Sequence, residues 1–272
     1  MAVLASASMN EPVKTLMVGC GNMGSALLGQ WAKLPGFRFT VVDRNGTKVP
    51  AGLPVFADLN QVVDQDFGLV ILGVKPQQIE SISEDLKKQI GPKTVVLSMA
   101  AGTSLKALSS LLGAVHVVRM MPNLPVKIGL GVVGLYEEEN SKSCRNMLSA
   151  LGDAAGLSVW TQSEKELDVL TVLTGCGPGF IFETMRAFVS AGQHIGIDEE
   201  VSTKMALQTF LGTVQMAIDS KSSLEALREA VTSKNGVTEA GLVSLRGGAG
   251  LEPLMKKSFS DALTRIEEMA KS

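Results

Sequence analysis

The six residues Gly19-Cys20-Gly21-Asn22-Met23-Gly24 constrain this chain more than any others, because of what flanks them. Lys14 to Val18 reads as a short apolar strand, and Ser25 to Leu34 reads as an amphipathic helix. A glycine-rich turn between a strand and a helix lets backbone N–H groups and the helix N-terminus approach a pyrophosphate. The same spacing recurs at Gly129-Leu130-Gly131-Val132-Val133-Gly134, but that copy follows Pro122 and Pro125 and runs into Tyr136-Glu137-Glu138-Glu139-Asn140. No helix opens behind it, so these glycines are expected to be packed closely within a strand.

The pattern around the first motif extends it into a domain. Apolar runs at 15–19, 37–43, 69–74, 94–98, 115–120, 131–136 and 157–160 alternate with amphipathic stretches, the signature of βα units on a parallel sheet. Beyond about Ser163 the apolar residues recur at spacings of three and four (Leu167, Leu170, Leu173, then Phe182, Met185, Val189), which is helical throughout. The fold class is therefore α/β: a Rossmann-type doubly wound sheet in residues 1–162, then an all-helical domain in 163–272. Gly196, Gly212 and the stretch 246–250 are expected to break the helices, and Ser222 with Glu225 to cap one.

Composition removes several function classes. A net charge of −2 leaves no basic stripe for nucleic acid or an anionic membrane, and no segment approaches the ~20 apolar residues of a membrane span. Cys20, Cys144 and Cys176 are odd in number and have no CxxC spacing, which argues against a disulfide framework and against a zinc cage, so no metal is expected. The ligand should be a small molecule and the compartment the cytoplasm, with residues 1–8 a leader ahead of a start at Met9.

Ligands of doubly wound sheets bind at the carboxyl edge, so residues at strand ends carry the site. Asp43 ends the second strand about 20 residues after the glycine loop, where an acidic group binds a ribose 2′-hydroxyl. Arg44 follows it, and a guanidinium there binds a 2′-phosphate, so the two residues give opposing indications for NADH and NADPH. Gly73-Val74-Lys75-Pro76 puts a lysine at the next exit, either on the cofactor or snorkelling at a strand terminus. Met99-Ala100-Ala101-Gly102 is small enough to form a backbone wall, and Asn123 offers donors and acceptors to a ligand.

The acid–base inventory is thin. His116 lies in an apolar strand pattern and His194 near a helix end, and both read as structural. A hydroxy-acid dehydrogenase needs a residue to take the hydroxyl proton, yet Asp168 to Ile195 contains no lysine. An imine arrives already protonated and needs only an electrophilic carbon near a hydride donor and a partner for nitrogen.

The ordered motifs GCGNMG, GVKPQ, SMAAG, RMMPN and TGCGPGF, followed by Thr232-Ser233 and Gly236-Val237-Thr238, resemble the pyrroline-5-carboxylate reductase family over nearly the whole chain. The resemblance implies a helical domain that forms a homodimer, with further assembly into a ring. It also implies reduction of 1-pyrroline-5-carboxylate to L-proline with NADPH or NADH, the last step of proline biosynthesis. By position it gives Gly19 to Gly24, Asn60, Gly73 to Pro76 and Met99 to Gly102 to the cofactor. Ser233, Gly236, Val237 and Thr238 fall to the substrate, with the Thr238 hydroxyl approaching the imine nitrogen; the competing expectation is that Thr238 merely caps the helix behind it. Asn235-Gly236 alone is a hairpin signal, yet helical patterns flank it, so it belongs to a helix-to-helix connection. The family usually reads SPGGTT where this chain has Ser233-Lys234-Asn235-Gly236-Val237-Thr238, and Asn is the non-glycine residue most tolerant of left-handed φ. Gly179 and Phe180 likewise replace the family's usual Ala-Tyr, with Pro178 suited to the first turn of a helix. The alternatives are a reductase of another cyclic imine, a β-hydroxyacid-type dehydrogenase, and a dinucleotide sensor without turnover.

Overall fold

The computed structural model describes residues 11–62, 66–139, 141–248 and 250–269. The leader and the start at Met9 fall outside them.

The sheet unit runs β1 (Val13–Val18), α1 (Asn22–Trp31), β2 (Phe37–Val42), β3 (Val55–Phe56), β4 (Leu69–Leu72), α2 (Pro76–Lys87), β5 (Val95–Ser98), α3 (Leu105–Leu112), β6 (His116–Pro122), β7 (Gly131–Tyr136), α4 (Lys142–Ala155), β8 (Gly156–Trp160) and α5 (Glu164–Thr171). The strands lie in the order β3-β2-β1-β4-β5-β6-β7-β8. Every expected strand forms, and the two-residue β3 is added.

Alternation along the strands sends side chains to two separate cores. Met17, Ile71 and Leu97 pack with Leu27, Leu28 and Trp31 of α1 and Leu148 and Leu151 of α4. Leu16, Val70 and Val96 pack with Ile79 and Leu86 of α2 and Leu105 and Leu108 of α3. Helices on both faces explain why β4, Leu-Val-Ile-Leu, is buried along its whole length. Trp31 joins α1 to α4: it is fully buried, and its indole N–H donates to the Leu151 carbonyl at 2.8 Å.

β1 to β6 are parallel, but β7 runs antiparallel to β6 and β8 parallel to β7. The cause is chain length. Only a 3₁₀ turn over Leu124–Ile128 separates β6 from β7, too short for a crossover, whereas α4 supplies one between β7 and β8. Gly131 and Gly134 are indeed close-packing strand glycines, since a Cβ on Gly134 would lie 2.7 Å from the Leu167 side chain of α5.

A π-helical turn, Val172–Cys176, follows α5, and the described chain divides into compact units between Gly175 and Cys176. α5 begins at Glu164, beside the expected change of character at about Ser163, but it packs on β7 and stays with the sheet.

The helical unit, residues 176–265, holds α6 (Gly177–His194), α7 (Glu199–Asp219), α8 (Leu224–Ala230), α9 (Val237–Arg246) and, as far as Arg265, α10 (Leu251–Met269). Pro178 sits in the first turn of α6, as expected. Two local expectations are corrected. Gly212 lies inside α7, where one glycine costs only about 1 kcal/mol and the helix continues; the cap of α8 is Ser223, whose side chain accepts from Ala226 N–H at 3.2 Å, not Ser222. Edge-on ring contacts, Phe188–Phe210 at 5.7 Å and Phe180–Phe259 at 5.0 Å, join α6 to α7 and to α10. Many large apolar side chains nevertheless remain exposed, among them Ile181, Phe182, Leu211, Val214, Met216 and Ile218. Among the described residues no helix is long and apolar enough to cross a membrane.

Candidate active site

A cleft of about 730 Å³ opens where β1, β2 and β4 end, on either side of the point at which the strand order reverses. Gly19 leaves β1 at φ +87°, and a Cβ there would lie 2.6 Å from the Val74 side chain. No atom lies within 4 Å of a Cβ built on Gly21, which leaves room at the mouth of the loop. A Cβ on Gly24 would meet the Met17 methyl at 2.7 Å, so the third glycine lets α1 sit close against β1. Gly21 is also the N-cap of α1 and has no side chain to satisfy the first-turn N–H groups. This is the arrangement that receives a pyrophosphate.

Asp43 lines the cleft, but its carboxylate is largely committed to the backbone. One oxygen accepts Cys20 N–H at 2.7 Å; the other accepts Asn45 and Gly46 N–H at 3.0 and 2.9 Å. Partial burial raises its pKa, yet these three bonds and nearby Lys48 outweigh the burial and hold it below the ordinary carboxylate range. Asp43 thus pins the glycine loop to the end of β2. The Cys20 thiol, buried and beside Asp43, is pushed up to about 11, so it is no nucleophile at neutral pH.

Arg44 and Lys75 also line the cleft, and among the described residues neither has an ion-pair partner. The other carboxylates of the lining are engaged: Asp58 accepts from Asn60, and Asp85 from Lys88 and Asn60. Asn60 therefore braces the rim from behind. Lys75 caps α2 ahead of Pro76, and Gln78 and Ser81 on the first turns of that helix join the lining. These two, with Asn45, Asp58 and Asp85, were not singled out from the sequence; nor was Lys48, whose ammonium lies 2.5 Å from the Asn22 amide oxygen. Only the helix phase of α2 could have indicated Gln78 and Ser81.

Asn22, Met23 and Gly24 fall in the first turn of α1, and Met99 to Gly102 form the exit of β5, outside the lining of the cleft but beside Gly73. Asn123 requires a correction. It is buried away from the cleft: its amide N–H donates to the Thr174 carbonyl at 3.0 Å and its oxygen accepts Val132 N–H at 2.7 Å. The residue ties β7 to the π-helical turn. Arg119, earlier on β6, does the same for α5 through Glu164 at 2.9 Å and Asp168 at 3.1 Å.

In the helical unit, residues 233–238 form a tight turn into α9. Gly236 N–H donates to the Ser233 carbonyl at 2.9 Å, and Asn235 adopts left-handed φ of +58°. The Asn235 N–H is held by the Glu239 carboxylate. Gly236 is the N-cap of α9, without a capping side chain, and Thr238 is the second helical residue, exposed. Thr238 is therefore not the cap, and its hydroxyl is not used to cap the helix.

Fold and cleft together define a Rossmann-type dinucleotide-dependent oxidoreductase. Residues 14–102 match the model for "NADP oxidoreductase coenzyme F420-dependent" and residues 164–269 that for "Pyrroline-5-carboxylate reductase dimerisation". The chain belongs to the pyrroline-5-carboxylate reductase family: it is 31% identical to the pyrroline-5-carboxylate reductase of Pseudomonas aeruginosa over 96% of its own length and 98% of that protein's. A solved reductase from Coxiella burnetii superposes with a TM-score of 0.87 at 30% identity, covering 95% of this chain and 98% of that one. The Plasmodium falciparum enzyme, solved with NADP bound, shares the fold with a TM-score of 0.83 at 23% identity, covering 96% and 99%.

Proposed function

We propose that this chain reduces 1-pyrroline-5-carboxylate to L-proline, with the cleft on the sheet's carboxyl edge as its cofactor subsite and the loop 233–238 as its substrate subsite. The observation that carries the reading is the uncapped N-terminus of α1 behind a glycine loop with open space at Gly21, a cradle that fits a dinucleotide pyrophosphate. When bound, the dinucleotide supplies a hydride to the ring carbon of the C=N bond. The residues of the chain bind and orient. Gly19 to Gly24 would hold the pyrophosphate of the dinucleotide, and Gly73 to Pro76 and Met99 to Gly102 would bind its ribose and nicotinamide portions. Asn60 sets the adenosine rim. The substrate carboxylate takes the free first-turn N–H groups of α9, where the helix dipole favours an anion, and the Thr238 hydroxyl meets the ring nitrogen.

NADPH is the preferred cofactor in this reading. Asp43 is committed to the loop backbone, while Arg44 is uncommitted and Lys48 lies beside Asn22, so the subsite offers free positive charge for a 2′-phosphate. Residues 163–272 act as the dimerisation domain of a homodimer, and three free cysteines suit a reducing compartment such as the cytoplasm.

The test addresses the cofactor subsite and the substrate loop separately. Thr238→Ala is expected to lower kcat/KM by about 10- to 100-fold while the Kd for NADPH stays unchanged. An unaltered kcat/KM would remove Thr238 from the reaction, and a Kd for NADH equal to that for NADPH would remove the 2′-phosphate subsite.

A further inference from the structure

At the amino edge of the parallel strands, opposite the cleft, three metal-ligating side chains meet. His116 opens β6, Glu137 follows β7 and Cys144 lies in the first turn of α4. Their ligand atoms lie within 4.8 Å of one another, Glu137 and Cys144 are buried, and His116 Nε2 is 2.7 Å from Glu137 Oε2. We propose that His116, Glu137 and Cys144 form a three-residue site for a borderline-soft divalent cation of the zinc type, with a fourth position open to water.

The surroundings fit a first coordination shell with its supports. Tetrahedral zinc, with bonds of about 2.0–2.3 Å, needs ligand atoms roughly 3.3–3.8 Å apart, so side-chain rotations of about an ångström suffice. Arg145 Nε donates to Glu137 Oε1 at 2.8 Å and stacks over the Trp160 ring at 4.6 Å. It therefore leaves Oε2, the oxygen facing His116, for the metal and fixes the carboxylate from behind. The other imidazole nitrogen, Nδ1, lies 3.6 Å from the Glu139 carboxylate, beyond hydrogen-bond length but on the side from which an outer carboxylate supports a zinc-bound histidine. Glu137, Glu138 and Glu139 bring three negative charges to this edge; among the described residues, Arg145 is the Arg or Lys side chain paired with them. A dication offsets the excess, and the Cys144 thiol gives its proton to solvent on binding. The ligands sit at 116, 137 and 144, brought together by the antiparallel turn of β7, so no short motif announced them.

The site is independent of the reductase reading, and its test involves no turnover. Titrating the full chain with Co²⁺ is expected to give a thiolate-to-metal charge-transfer band that saturates at one ion per chain and is displaced by Zn²⁺. Zn²⁺ is expected to raise the Tm of the wild type. Cys144→Ser should abolish the band and His116→Gln should weaken binding at least about 10-fold. The double variant Cys20→Ser with Cys176→Ser, in which Cys144 is the sole thiol, should retain the band whether or not Cys144→Ser folds. Absence of the band in the wild type or in that double variant, or its survival in Cys144→Ser, overturns the proposal.

Discussion

Three backbone N–H groups converge on the carboxylate of Asp43, and with Lys48 they lower its pKa against the pull of partial burial. A group with a depressed folded-state pKa contributes stability that is present above its unfolded value, near 3.9, and is lost as pH falls through the lower folded value. Asp43→Ala is expected to cost about 1 kcal/mol in urea denaturation at pH 7, a figure kept small by the exposure of the site, and to raise the NADPH Kd several-fold. Both effects should shrink toward the acid end; a cost that is the same at pH 3 and pH 7 would contradict the assignment. Asp43 also shows how far one residue can be read from sequence. Its place at the end of β2 was legible from spacing, whereas its partners were not, because backbone N–H groups carry no sequence signature. Asn123 misled for the same reason: its amide looked available, and only the fold shows it spent on Val132 and Thr174.

Arg119 links elements rather than residues. It is buried in β6, and both terminal nitrogens of its guanidinium reach α5, while Glu164 also accepts the Leu105 N–H that opens α3 at 2.9 Å. Replacing Arg119 with Met strips the charge partner from both carboxylates and is expected to cost about 3 kcal/mol, read as a lower urea midpoint with unchanged m. A loss below about 0.5 kcal/mol would show that α5 is held by apolar packing alone. At this scale the strands were legible because they are short, apolar and bounded, and helices cover both faces. The reversal at β7 was less so, since it depends on the length of the connection after Pro122 rather than on residue pattern. Gly212 and Ser223 show the limits of single-residue punctuation: packing carries α7 through a glycine, and two adjacent serines compete for one cap.

For the whole molecule, large apolar side chains of α6 and α7 stay exposed in the single chain, and residues 164–269 match a dimerisation domain. The homodimer proposed here predicts a Tm that rises with protein concentration and twice the chain mass by light scattering; a monomer with a constant Tm would contradict it. Helical periodicity alone could not separate a shared core from a self-contained bundle; the unburied faces of α6 and α7 support the shared core proposed here. The central claim is reduction of 1-pyrroline-5-carboxylate, and one measurement addresses it most directly. Purified chain is mixed with NADPH and 1-pyrroline-5-carboxylate, and the loss of reduced-nicotinamide absorbance is followed alongside the L-proline formed. The expected result is one proline per NADPH oxidised, and less rapidly with NADH. Cofactor that stays reduced with either dinucleotide, in a protein shown to bind it, would contradict the account.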